Sequence, residues 1–560
     1  MKRGVKYVVV ALLLGASVLL GGAAKDNTYR LGKSVEVLVN MLRTINLFYV
    51  DEVEPEKIMN AAAEGMTKIL DPYTTYLPAE SMDDFEVMTT GKYGGVGSLI
   101  RLEGDYVEFS GPYRNSPADK AGIRPGDKIL SIEGESAKGM TTQQVSNRLK
   151  GDPGTKVRLT VGKFPTGEEV ELKIERERIA IPGVPYFGMV SDSVGLISHQ
   201  DFTEGCASDL RKAYEALEAQ GMRSLILDYR GNGGGILQEA VGILSLFLPT
   251  GSEVVSTRSS REGGAENRVF RTEGVPLSTE MPIVVLTDRS SASAAEIVAG
   301  ALQDNDRAVL VGERTYGKGL VQSTYPLGYG AYAKLTTSKY HLPSGRCIQA
   351  IDYAGHNEDG SVAFVPDSLI REFRTKAGRK VYDGGGVMPD VRMEPTYVAT
   401  FTVVLYALGH IDDFLAEWCA RHYDELEGRV VPVEYAFPDE GFEEFVAFMK
   451  DKKVEWESPT VRLWKQFKEA AEKERWRGDM DGQMEAIEAN ITNDTEDLIR
   501  LYEKEIRDLI ENNIVQRYCY TDGSIAHSLH SDVEVAKALE ILADKALYNE
   551  ILSSRDTERK

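Results

Sequence analysis

In Thr287-Asp288-Arg289-Ser290-Ser291-Ala292-Ser293-Ala294-Ala295-Glu296-Ile297-Val298 one kind of periodicity gives way to another. The run before it, Ile283 to Leu286, is apolar and too short for a helix, and reads as a buried strand. The run after Ser293 is rich in alanine and reads as a helix. Ser293 therefore stands where a strand's carboxyl edge meets a helix N-terminus, a place that stabilises developing negative charge. An ordinary N-cap serine occupies the same place, so this segment leaves nucleophile and cap both open.

The neighbouring sequence repeats the alternation. Leu225 to Leu227 and Ala308 to Val311 are further strand candidates, Ala207 to Ala219 is a helix candidate, and residues 190–395 carry an α/β pattern. Asp228-Tyr229-Arg230-Gly231-Asn232-Gly233-Gly234-Gly235 follows one of these strands. Its glycines let backbone N–H groups approach a ligand closely. That fits one half of an oxyanion hole, with the Ala294 N–H as the other half, or a flexible connector. A serine nucleophile needs a base, and no motif surrounds any of the seven histidines. Lys318, in Gly317-Lys318-Gly319, is 25 residues beyond Ser293 (318 − 293). Lowering a lysine pKa from about 10.4 to about 7–8 by desolvation makes it a usable base. The same tripeptide also reads as a surface turn, whereas Walker spacing is absent.

Residues 88–178 have a different texture, with short alternating runs such as Tyr106 to Phe109 and Val157 to Val161 between glycine-rich turns. Gly94-Gly95-Val96-Gly97-Ser98-Leu99-Ile100 is a glycine loop leading into an apolar strand. Such a loop can aim successive N–H groups at a peptide carboxylate, and the strand edge can pair with the peptide. The run Ser116-Pro117-Ala118-Asp119-Lys120-Ala121-Gly122-Ile123-Arg124-Pro125-Gly126-Asp127-Lys128-Ile129-Leu130-Ser131-Ile132 resembles the signature of PDZ domains. That resemblance implies capture of a peptide tail by Gly95, Val96, Gly97, Ser98 and Leu99.

Taken in order, Leu70-Asp71-Pro72-Tyr73-Thr74-Thr75-Tyr76, the PDZ-like segment, the Asp228 to Gly235 loop and Ser291 to Ile297 resemble the carboxyl-terminal processing (tail-specific) proteases of serine peptidase family S41. Gly317-Lys318-Gly319-Leu320-Val321-Gln322, Tyr340 to Arg346 and Gly386 to Asp390 extend the resemblance, which covers about residues 35–395. It implies Ser293 as nucleophile, Lys318 as general base, Gln322 as the residue orienting the lysine, and Gly234 (or Gly235) with Ala294 as oxyanion donors. It also implies a crotonase-like α/β spiral for the catalytic domain, and neither metal nor cofactor. Gly233 stands where many members have proline, Ala295 where many have serine, and residues 350–385 read as an insertion.

The expected organisation is multidomain α/β. Residues 1–24 form a signal peptide or membrane anchor, 25–85 a helical region, 88–178 a PDZ β-sandwich or barrel, 180–398 the catalytic domain and 399–560 a helical extension. Lys2, Arg3 and Lys6, the apolar run Tyr7 to Leu20 and the small residues Gly22-Ala23-Ala24 have the order of an export signal, so the expected location is periplasmic or the outer face of the inner membrane. Membrane contact is expected only through that segment. In a chain of 560 residues, a net charge of −22 argues against nucleic acid as a partner. Cys206, Cys347, Cys419 and Cys519 are too scattered for a metal module. Expected substrates are proteins or peptides with apolar C-termini, and the C-terminal helices leave homo-oligomerisation open. A PDZ scaffold with a vestigial catalytic domain and a crotonase-type acyl-CoA enzyme are the competing readings. The joint presence of Ser293, Lys318 and Gln322 argues against the first, and export against the second.

Overall fold

The computed structural model describes residues 28–259, 267–356, 362–364, 367–452, 454, 456–474, 481–491 and 494–553. The expected export signal lies outside the described residues. No helix among them is long and apolar enough to cross a membrane. The described residues divide into two compact units, those up to residue 82 with 322–337, and those from residue 83 to 321 with those from 338 onward.

In the first unit, residues 28–48 form a helix whose side chains are largely exposed. The next helix, Pro55–Lys68, starts on its proline, whose missing N–H is not needed there. Asp71 then organises a tight turn: its carboxylate accepts from the Tyr73 and Thr74 N–H groups, both at 2.9 Å, and from the Thr74 hydroxyl at 2.9 Å. The turn directs Thr75–Leu77 into antiparallel pairing with Tyr332, Ala333 and Lys334.

In the second unit, a sheet of Ser98–Glu103, Tyr106–Pro112, Lys128–Ile132, Lys156–Gly162 and Glu169–Glu175 builds the segment whose sequence resembles a PDZ domain, with Glu135–Ser136 paired to the third strand. Ser98–Glu103 is an edge strand. Alternation puts Val107, Phe109, Ile129, Val157, Leu159 and Val161 into one core. Helix Thr142–Leu149 closes it, with Thr141 and Gln144 capping reciprocally.

The central sheet of this unit has the order Tyr186–Met189, Val194–Ser198, Ser224–Asp228, Ile283–Thr287, Val309–Gly312 and Val391–Arg392, parallel except for the first pair. The residues of Val194–Ser198, Ile283–Thr287 and Val309–Gly312 are buried throughout, as continuous apolar runs require when both faces are covered. Helices Cys206–Ala219, Leu237–Phe247 and Ala294–Asp304 pack on one face. The opposite face is covered by the end of the chain. Val535, Ala538, Ile541 and Tyr548 pack against Leu196, Ile226, Val284, Leu286 and Val311. The Tyr548 hydroxyl accepts from the Ile283 N–H at 3.0 Å and donates to the Ile283 carbonyl at 3.2 Å.

Within the expected helical extension, residues 399–560, helices Val533–Ala543 and Lys545–Ser553 pack on the central sheet as one of its layers. Sequence periodicity shows that a helix has an apolar face but not which distant sheet needs it. The rest of that region has its own core around Phe401, Phe414, Trp418, Phe442, Phe445, Ile506 and Ile510. It grips the PDZ domain through polar contacts. Arg101 donates to Glu108 at 2.7 Å and to Asp412 and the Tyr406 hydroxyl at 2.6 Å. Arg517 donates to the same Asp412 oxygen at 2.5 Å and stacks over Phe164. The Tyr520 hydroxyl donates to Asp119 at 2.9 Å.

Candidate active site

Ser293 sits at the turn from strand Ile283–Thr287 into helix Ala294–Asp304, half-buried between the buried Ala292 and Ala294. Its φ of 57° and ψ of −113° lie in a region that side-chain-bearing residues rarely adopt. Such strain costs on the order of 1–3 kcal/mol and persists only where surrounding bonds enforce it. Here they do. Asp288 accepts from the Ser290 N–H at 2.9 Å and the Ser291 N–H at 2.8 Å, and the Ser291 hydroxyl donates to the Tyr229 carbonyl at 2.9 Å. The Ala292 N–H donates to the Asn232 carbonyl at 2.9 Å.

The residue that fastens the site is one for which the sequence suggested no role. Glu296 is fully buried. One of its oxygens accepts from the Ser293 and Lys318 N–H groups, both at 2.8 Å. The other accepts from the Gly317 N–H at 2.7 Å and the Thr315 hydroxyl at 2.5 Å. Burial pushes this carboxyl above its ordinary range, and the four hydrogen bonds pull against that shift. A single carboxylate thus ties the serine turn to the lysine loop. The signal in the sequence was the Ser-x-x-Glu spacing of a capping box. A second tie was also missed: the buried Tyr340 hydroxyl donates to the Ser293 carbonyl at 3.1 Å and makes a short contact with the Lys318 carbonyl.

Gly317-Lys318-Gly319 is not a loose surface turn. Gly317 has φ +87°, and a Cβ there would fall 2.5 Å from that of Ala350. The Gly319 N–H donates to the Gln349 side chain at 2.7 Å. Lys318 between them is half-buried.

The glycine loop approaches from the neighbouring strand. At Gly234, with φ +93°, a Cβ would lie 2.7 Å from the Ser293 Cβ and 2.8 Å from the Ala294 nitrogen, so no larger residue fits against the serine turn. Ala294 opens its helix, so its N–H has no carbonyl one turn earlier to meet. The Gly234 N–H donates to the Asn232 side-chain oxygen at 2.8 Å, and Asn232 in turn donates to the His199 carbonyl at 2.7 Å. Gly235 packs on the Phe202 backbone instead of facing the serine. A Cβ at Gly233 would meet nothing within 4 Å. His199 is buried edge-on against Phe202 and Tyr229, and burial lowers its pKa to about 3, so its imidazole is neutral.

The structure therefore gathers Ser293, Ala294, Gly234 and the Lys318 backbone around Glu296. Gln322 belongs to the other unit, where its side-chain amide donates to the Thr336 hydroxyl at 3.2 Å and Thr336 donates to Asp71 at 3.1 Å. In the PDZ domain, Gly94 and Gly95 are not part of an open loop. They are strand residues paired with Arg178 and Glu177, and the missing side chain of Gly94 admits the Gly151 carbonyl. The turn proper is Val96-Gly97, with the Val96 carbonyl accepting from the Ala118 N–H at 2.8 Å and Gly97 at φ +78°. Ser98 and Leu99 begin the edge strand, and Leu99 is half exposed. All four cysteines are free thiols.

Comparison with known proteins matches residues 193–359 to peptidase family S41, 108–163 to the PDZ domain, and 401–542 to the C-terminal helical domain of probable PDZ-proteases. The chain is 34% identical over 362 residues to a carboxy-terminal-processing protease of Bartonella bacilliformis, covering 63% of this chain and 81% of that protein. It is 31% identical over 388 residues to the carboxyl-terminal-processing protease of Synechocystis, covering 65% and 86%. Among solved structures, the photosystem II D1 C-terminal processing protease matches at 26% identity and a TM-score of 0.35, over 65% of this chain and 93% of that one.

Proposed function

Because this chain belongs to the carboxyl-terminal-processing proteases of peptidase family S41, and is by that membership a serine peptidase, we propose that it cleaves peptide bonds with Ser293 as nucleophile and Lys318 as general base. The observation that carries this reading is the Glu296 carboxylate, which binds the Ser293 and Lys318 N–H groups through one oxygen. A fold has little reason to sink an ionisable group and spend it on two loops unless their relative placement matters.

In the proposed reaction, the neutral Lys318 amine takes the proton from Ser293 Oγ, and the oxygen attacks the substrate carbonyl carbon. The oxyanion is received by the Ala294 N–H and by the Gly234 N–H, which exchanges its Asn232 partner for the substrate. The carbon–nitrogen bond breaks as the lysine ammonium protonates the leaving amine. Water then attacks the acyl-enzyme with Lys318 again as base. The motif match alone assigns Gln322 to orient Lys318. It likewise carries the crotonase-like spiral.

The PDZ domain makes peptides the substrate class. Its edge strand Ser98–Glu103 beside the Val96-Gly97 turn supports capture of an apolar C-terminal tail. The order of residues 1–24 supports export, by a cleaved signal or a retained anchor, to the periplasm or the outer face of the inner membrane. Self-association through the C-terminal helices stays a proposal of the sequence alone. The test of the dyad is casein or peptide digestion by Ser293→Ala, Lys318→Ala and the double variant. Each single change should lower kcat/KM at least about 10³-fold and the double no further; multiplicative losses would show that the two residues do not act as a unit.

A further inference from the structure

Arg230 stands at the root of the glycine loop, two residues after strand Ser224–Asp228 ends. Its guanidinium is spoken for on every side. Nε donates to Asp228 Oδ1 at 2.9 Å and Nη2 to Asp228 Oδ2 at 2.7 Å, a two-pronged fork within the loop's own strand. Nη1 turns the other way and meets Asp532 Oδ2 and Glu534 Oε2, both at 2.7 Å. Glu534 is 304 positions away in the sequence. All four side chains are at most 20% exposed.

Asp532 does two jobs at once. One oxygen caps helix Val533–Ala543 by accepting from the Glu534 and Val535 N–H groups at 2.8 and 3.1 Å, and the other holds Arg230. The helix is itself clamped to the sheet by Val535, Ala538 and Ile541. Beyond Arg230, the Gly231 N–H is held by the Asp288 carboxylate at 3.1 Å, and Asn232 by Ala292. The run from Asp228 to Gly234 is thus pinned at successive residues, and one of those pins is set from the C-terminal helical region.

We propose that Asp532 and Glu534 are positioning residues of the peptidase reaction, holding the glycine loop in register with Ser293 through Arg230. The C-terminal helical region then belongs to the frame of the active site, and its separation from the catalytic domain inactivates the enzyme. The inference rests on the reading of Gly234 as an oxyanion donor. An oxyanion donor displaced by even part of an ångström forfeits transition-state stabilisation while leaving substrate binding along the cleft nearly intact.

The test uses the full chain carrying D532N and E534Q together. Asparagine keeps the helix cap, so the change removes charge from Arg230 without freeing the helix end. Expected is a fall in kcat of about 10- to 100-fold with KM within about twofold. A peptide aldehyde, whose hemiacetal oxyanion occupies the same donors, should lose affinity by the same factor. Ile541→Val loosens the same helix without touching Arg230, and should lower the melting temperature while leaving kcat unchanged. In an R230K background the double change should add nothing. An unaltered kcat in a folded D532N/E534Q protein, a loss reproduced by Ile541→Val, or additivity with R230K would overturn the proposal. If the double variant does not fold, D532N alone carries the same expectations. Ser293→Ala in the same assay separates the two readings: activity there would sink the dyad, whereas an inactive Ser293→Ala beside a fully active D532N/E534Q sinks only this inference.

Discussion

Glu296→Gln removes one charge and almost no volume from the centre of the site, and its effect can be worked from the contacts. The carboxylate receives four donors, two on each oxygen. An amide has a single acceptor oxygen and two N–H groups of its own. Its best orientation keeps the oxygen towards the Ser293 and Lys318 N–H groups and points the NH2 at Thr315, whose hydroxyl can turn to accept. The Gly317 N–H then faces another donor. A buried unpaired N–H costs about 1–3 kcal/mol, and the hydrogen bonds that remain are no longer charge-assisted. The protein relieves the conflict by letting the lysine loop move away from the serine turn. If that energy appears wholly in the transition state, it corresponds to roughly a 5- to 150-fold loss of kcat. Losing the buried charge offsets part of the destabilisation, so the melting temperature should change little. Glu296→Ala would orphan all three N–H groups together and is expected to fold poorly. Steady-state kinetics on a fluorogenic peptide, alongside thermal melting of the same preparation, give the comparison. A folded Glu296→Gln enzyme with kcat within twofold of the parent would refute the idea that this carboxylate sets the register of serine and lysine.

Three further outcomes follow from the same contacts. Gly234→Ala places a Cβ 2.7 Å from the Ser293 Cβ at φ +93°, and should lower kcat by about 10²–10³ with the fold retained by circular dichroism. Asp412→Ala takes the carboxylate from the buried Arg517 and leaves Arg101 to Glu108 at the seam between the PDZ domain and the helical region; a destabilisation of about 3–5 kcal/mol should appear as faster hydrogen exchange on both sides of that seam. Burial lowers the His199 pKa from 6.5 to about 3, so the unfolded chain binds the extra proton first. The stability from this group is complete above about pH 6.5 and is lost as pH falls towards 3. His199→Phe should flatten that acid limb in melts taken across the window, and an unchanged limb would show that other groups set it.

The α/β alternation and the Ser293 turn were legible because short, continuously apolar strands such as Ile283–Thr287 announce themselves in one dimension. The PDZ core was legible for the complementary reason, the two-residue alternation along Lys156–Gly162. What escaped were relations between distant segments. Glu296 was in plain view three residues after Ser293, yet its bonds to Gly317 and Lys318 exist only once the lysine loop folds over it. Tyr340 likewise acts through its hydroxyl on two carbonyls that sequence cannot bring together. Helix Val533–Ala543 was read as part of an extension because an amphipathic face does not name its partner; the partner is the sheet face carrying Ile226 and Val284. The glycines misled in one place: Gly94 and Gly95 serve close packing in a paired strand, and loop and strand make the same demand for a missing side chain.

The most direct measurement is to treat the full chain with a fluorophosphonate and locate the adduct by peptide mass spectrometry. A single phosphonylated residue, Ser293, is expected, with labelling abolished in Ser293→Ala and slowed at least about 10²-fold in Lys318→Ala. Label on another side chain, or labelling of Ser293 at an undiminished rate without Lys318, would contradict it.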